Sequence, residues 1–155
     1  MMMSLSCKVI EALKGRTLVT AESCTGGGVG CALTAVPGSS AVFKGGIISY
    51  TNEVKSAQLG VPEDLLNRVG AVSAEVAAEM AKGARTRLDA DVAVSVTGLA
   101  GPDGDSFGNP VGTVCIGYSD ANVLETIEYH FAGDRAQIRQ QAIDAALKLV
   151  LSHAV

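Results

Sequence analysis

Apolar positions along this chain recur at two periods, one helical and one of strands. Leu5, Val9, Ile10 and Leu13 fall at helical spacing over residues 4–14, with Gly15 as a stop. Thr17–Ala21 then has the character of a short buried strand. A glycine-rich turn, Ser23–Gly28, opens a second helix that ends before Pro37-Gly38. Gly46–Tyr50 reads as a second strand, and Thr51 or Asn52 caps a helix running through Leu59. Pro62 starts a short helix to about Val69, and Ser73 caps a longer one that carries Val76, Met80, Ala84 and Leu88 on one face. Val92–Thr97 is apolar almost throughout, as suits a strand covered on both faces. After a loop from Gly98 to Pro110, Val111–Tyr118 and Val123–Phe131 read as strands joined at Asp120-Ala121-Asn122. A last helix from Asp134 to about Leu151 buries Ile138, Ala142, Ala146 and Leu149.

Helices and strands alternate through the first two thirds, and a hairpin follows. The order predicts an α/β fold: a three-layer helix–sheet–helix domain over residues 1–155, with a mostly parallel mixed sheet and an antiparallel edge hairpin. Ligands of such sheets bind beyond the carboxyl ends of the strands.

Composition narrows the function classes. A hydrophobic fraction of 48% supplies a core, and with only 4% aromatic residues that core must be filled by small and branched side chains. Acidic residues outnumber basic ones, 16 to 12, which argues against a nucleic-acid backbone as partner but leaves room for a small phosphorylated ligand. No apolar run approaches the ~18 residues that span a bilayer, so no membrane partner is expected. Cys7, Cys24, Cys31 and Cys115 form no Cys-x-x-Cys pair or Cys/His cluster and follow no secretory signal, so free thiols in a reducing cytoplasm are expected. The apolar surplus in so short a chain points to a buried interface between copies, hence a homo-oligomer.

Four segments could carry chemistry. Ala21–Gly27 joins a strand to a helix through Glu22, Ser23, Thr25 and Gly26, and free N–H groups at such a turn form an anion site; the plainer reading is a tight packing turn. It lacks the last glycine of a dinucleotide fingerprint, and no P-loop sequence is present. Ser40 precedes the second strand, Tyr50 ends it, and Lys55 falls in the first turn of the next helix. A lysine there is electrostatically unfavourable, and the same field favours the neutral amine that a general base must be. His130 and His153 are poorly placed for a Ser-His-Asp triad. The plainer reading is a surface lysine beside an ordinary serine turn. Thr97 and Gly98 end the most buried strand and open a loop with Asp103 and Asp105, too few carboxylates to argue a metal. Arg135 and Arg139 lie four apart near a helix start, either as a phosphate fork or as surface arginines.

These segments together resemble the CinA C-terminal domain family, the nicotinamide-nucleotide amidohydrolases. The matching stretches are Ala21–Gly27, Pro37–Ala41, Ser49–Lys55, Leu59–Val61, Gly70–Ser73, Thr97–Gly104, Pro110–Val114 and Phe131–Arg135, in family order along nearly the whole chain. Larger members carry a further N-terminal domain, and this chain is similar to the stand-alone form. The resemblance implies hydrolysis of nicotinamide mononucleotide to nicotinate mononucleotide and ammonia, with no cofactor and no metal. It implies Ser40 as nucleophile, Lys55 as its base and Tyr50 as a support to proton transfer. Ser23, Thr25, Gly26, Thr97 and Gly98 would line the site, and Arg135 would hold the phosphate. Thr97 stands where the family often has serine and keeps the hydroxyl. Two rival readings are a nucleotide-binding module without catalysis and a small dehydrogenase; chain length and the five-residue Tyr50–Lys55 spacing disfavour the second.

Overall fold

The computed structural model describes residues 2–154. In chain order the elements are α1 (Leu5–Ala12), β1 (Leu18–Glu22), α2 (Gly28–Thr34), β2 (Phe43–Ile48), α3 (Asn52–Leu59) and α4 (Glu63–Val69). They continue with α5 (Ala74–Arg87), β3 (Val92–Gly98), β4 (Thr113–Ser119), β5 (Leu124–His130) and α6 (Arg135–Ala154). The strands form one sheet in the order β2-β1-β3-β4-β5. Both neighbours of β1 run parallel to it, β4 runs antiparallel to β3, and β5 antiparallel to β4. Four strands therefore share a direction and β4 alone is reversed, which is the expected mixed sheet with its edge hairpin.

Side-chain alternation splits the core into two layers. Leu18, Val94, Val96 and Ile116 pack with Val9, Leu13, Val29, Leu33, Ile138 and Ala142, so α1, α2 and α6 cover one face. Val19, Ala21 and Ala93 pack with Leu59, Leu66, Val76, Met80 and Ala84, so α3, α4 and α5 cover the other. Polar side chains start the helices where the sequence placed them: Ser4, Thr51 and Ser73 each accept from the backbone N–H three residues on. Asp134 and Gln137 cap α6 reciprocally, each side chain bonding the other's backbone N–H.

Two boundaries differ from expectation by three residues, the others by two at most. Strand β2 begins at Phe43 rather than Gly46, and Gly46 lies within it for space rather than as a break. A Cβ at Gly46 would lie 2.2 Å from the Thr20 hydroxyl on β1. Helix α6 continues to Ala154, since His153 stacks on Tyr118 at 4.2 Å and bonds Glu125. Contact between α3 and α5 is close enough that a Cβ at Gly83 would overlap the Leu59 carbonyl. That contact fixes the helix that carries Lys55. Among the described residues no helix is long and apolar enough to cross a membrane.

Candidate active site

Three strand ends converge at the carboxyl edge of the parallel strands. Ser23 follows β1, Ser49 and Tyr50 follow β2, and Thr97 and Gly98 close β3. They enclose a cavity of about 260 Å³ whose walls include Ser23, Tyr50, Lys55, Thr97, Gly98 and Arg135.

Lys55 is the chemical centre of this cavity. Its side chain is 2% exposed, yet no carboxylate pairs with it among the described residues. The amine instead lies 3.0 Å from Ser23 Oγ, 2.9 Å from the Ser49 carbonyl and 3.4 Å from the Tyr50 carbonyl. Burial lowers its pKa to about 8, against a small opposing effect of Cys24. The amine donates to all three oxygens, Ser23 Oγ and the two carbonyls; once it has lost a proton, two N–H groups can keep the carbonyls while the lone pair faces the Ser23 hydroxyl. Cys24 also faces the cavity, but burial pushes its thiol up to about 11, so it stays protonated at neutral pH.

The turn that carries Ser23 is fixed from beneath. Glu22, 2% exposed, accepts from Thr25 Oγ1 at 2.6 Å, Val29 N at 2.8 Å and Gly30 N at 3.0 Å. A carboxylate thus caps the first turn of α2. From above, Arg139 donates to the carbonyls of Cys24 and Thr25 at 3.0 and 3.2 Å. Arg135 behaves differently: it stands at the cavity mouth, donating to Tyr50 Oη at 3.1 Å and to the Gly101 carbonyl. The two arginines therefore do not form a fork.

The expected residues divide accordingly. Lys55, Tyr50, Ser23, Thr97, Gly98 and Arg135 come together, with the Thr97 hydroxyl donating 2.8 Å to the Ala71 carbonyl. Ser40 does not join them. It is exposed in a single 3-10 turn, Ser39–Ala41, ahead of β2, whereas Lys55 sits past its end. At ~3.3 Å per residue the strand separates them by roughly 20 Å within one chain. Thr25 is also turned away, its hydroxyl spent on Glu22. Gly26 sits outside the cavity too, at φ 57°, with its N–H on the Ser23 carbonyl. The partner serine was nonetheless readable: Ser23 follows a parallel strand and Ser40 precedes one, and sites form beyond carboxyl ends.

The model of the CinA C-terminal domain matches residues 3–154. The nicotinamide-nucleotide amidohydrolase PncC of Pseudomonas putida is 50% identical over 130 residues, covering 84% of this chain and 81% of that protein. A putative competence-damage inducible protein of Halothermothrix orenii is 51% identical over 127 residues, which are 81% of this chain and 31% of that longer protein. The chain thus spans about a third of that relative. The crystal structure of the competence/damage inducible protein CihA from Agrobacterium tumefaciens superimposes with a TM-score of 0.92 at 39% identity, covering 96% of this chain and 92% of that one.

Proposed function

The chain belongs to the CinA C-terminal domain family, and we propose that it hydrolyses the carboxamide of nicotinamide mononucleotide to the carboxylate and ammonia, with Ser23 as nucleophile and Lys55 as base. The observation that carries this reading is the buried Lys55 amine, 3.0 Å from Ser23 Oγ and paired with no carboxylate among the described residues. The amidohydrolase PncC supports the substrate by its similarity to this chain.

An amide is a weak electrophile with a poor leaving group, so an acyl-enzyme divides the work into two steps. Neutral Lys55 removes the Ser23 proton as Oγ attacks the carboxamide carbon. The developing oxyanion is assigned to the backbone N–H groups of Ala100 and Gly101, which line the cavity, the Leu99 N–H being spent on the Thr113 carbonyl. The resulting ammonium returns its proton to the amide nitrogen, the C–N bond breaks, and ammonia leaves. Lys55, neutral again, activates a water that cleaves the Ser23 ester and releases the carboxylate. With its pKa near 8, about a tenth of the amine is in the active form at pH 7. Arg135 binds the phosphate by exchanging its Gly101 and Tyr50 contacts for the anion. The Tyr50 side chain serves that arginine, while its carbonyl helps to aim the lysine.

Incubating the pure protein with nicotinamide mononucleotide and following ammonia tests the proposal. Steady release is the expected result. Tight binding without ammonia, with an active control amidase in parallel, would replace it by a binding module.

A further inference from the structure

The cavity holds one carboxylate that the reaction above leaves unused. Asp103 lines the wall together with Lys55 and Arg135, and among the described residues it is the only Asp or Glu there. It pairs with neither cation and makes no side-chain hydrogen bond among the described residues. Its neighbour Asp105 has the opposite fate. That carboxylate accepts from Phe107 N at 3.0 Å, Asn109 N at 2.9 Å and Asn109 Nδ2 at 2.8 Å, and Asn109 in turn bonds the Val72 carbonyl. One acid therefore folds the loop and leaves the other on the cavity wall.

An unpaired carboxylate in a site for an anion weakens phosphate binding unless it has donors of its own to meet. A nucleotide offers those donors in the two ribose hydroxyls, which a carboxylate accepts with its two oxygens. We propose that Asp103 reads the vicinal hydroxyls of the substrate's ribose and makes the site selective for ribonucleotides over their deoxy counterparts. The proposal rests on the nucleotide reading given above. A site that hydrogen-bonds a substrate hydroxyl rejects the analogue lacking it far more strongly than an apolar pocket rejects a missing methylene.

The test compares nicotinamide mononucleotide with its 2′-deoxy and 3′-deoxy forms on the wild type, Asp103→Ala and Asp103→Asn. Both ammonia release and calorimetric binding are measured. The wild type should prefer the ribonucleotide by about 10- to 100-fold in kcat/KM and in Kd. In Asp103→Ala that preference should shrink to within about threefold, while Asp103→Asn, which keeps one acceptor, should fall between. The ratio between substrates is the readout, because a general loosening of the loop lowers both alike. An unchanged ratio in Asp103→Ala, or a wild type that binds the deoxy forms equally well, overturns the proposal. Absent ammonia with a ribose preference that still depends on Asp103 would instead refute the hydrolase reading alone.

Discussion

The turn after β1 and the turn after β2 are built from the same parts and put to opposite uses. Each leads from a parallel strand into a short helix and has beside it one Glu or Lys side chain at 2% exposure. In the first turn the group is the carboxylate of Glu22. It meets the partial positive charge of the α2 N-terminus and takes three hydrogen bonds. In the second it is Lys55, set in the first turn of α3, where the helix field opposes a cation and no carboxylate among the described residues pairs with it. The matched side chain holds a rigid turn, and the buried, unmatched one is an amine whose pKa burial lowers to about 8. The arginines follow the same division: Arg139 ties the carbonyls of the first turn, and Arg135 waits beside Tyr50 at the second.

Removing the mismatched charge breaks the comparison most severely. Lys55→Met should lower kcat by about 10³-fold, within the range for a lost general base. It should also change how stability responds to pH. The folded pKa of Lys55 is about 8, and its ordinary value is 10.5. Between those values the unfolded chain binds the proton and the folded one does not, so this group adds stability as pH rises from 8 to 10.5. Measured against Lys55→Met by chemical denaturation, the wild type should gain up to about 3 kcal/mol across that window. A flat difference would mean that the amine carries no strain.

Glu22→Gln attacks the matched side. Its amide nitrogen cannot accept from an N–H, so one capping bond becomes a clash of donors. A loss of about 2 kcal/mol in stability is expected, with a smaller fall in kcat as Ser23 loosens. If thermal unfolding is unmoved, Glu22 is not the support described here.

The arginine pair gives the smallest and most selective effects. Arg135→Ala should raise KM by about 10-fold or more with Tm nearly unchanged, because its partners are exposed. Arg139→Ala should do the reverse, lowering Tm by a few degrees with KM little changed. Steady-state kinetics and calorimetry on both variants separate the roles, and equal effects on KM would merge them.

Most of the fold was legible because periodicity and caps act locally. Ser73 and Asp134 start their helices as expected, Thr51 rather than Asn52 caps α3, and the mostly apolar run of β3 is a buried strand as expected. Strand β2 starts three residues before the expected Gly46, and the need for a glycine at 46 comes from Thr20 on another strand. The site was legible in part. Lys55 stood out by its helix position alone, a local signal. Which serine it meets depends on strand direction, as does the separation of Arg135 from Arg139, and these are facts of the assembled sheet. Thr25 and Gly26 looked like ligand contacts because a turn's sequence does not say which way its hydroxyls face.

Ammonia release from nicotinamide mononucleotide, measured side by side for Ser23→Ala and Ser40→Ala, tests the central pairing most directly. Ser23→Ala should lose activity by about 10³-fold or more, whereas Ser40→Ala, an exposed turn residue, should stay within about twofold of wild type with stability within about 0.5 kcal/mol. Full activity in Ser23→Ala, or a dead but folded Ser40→Ala, would contradict the account.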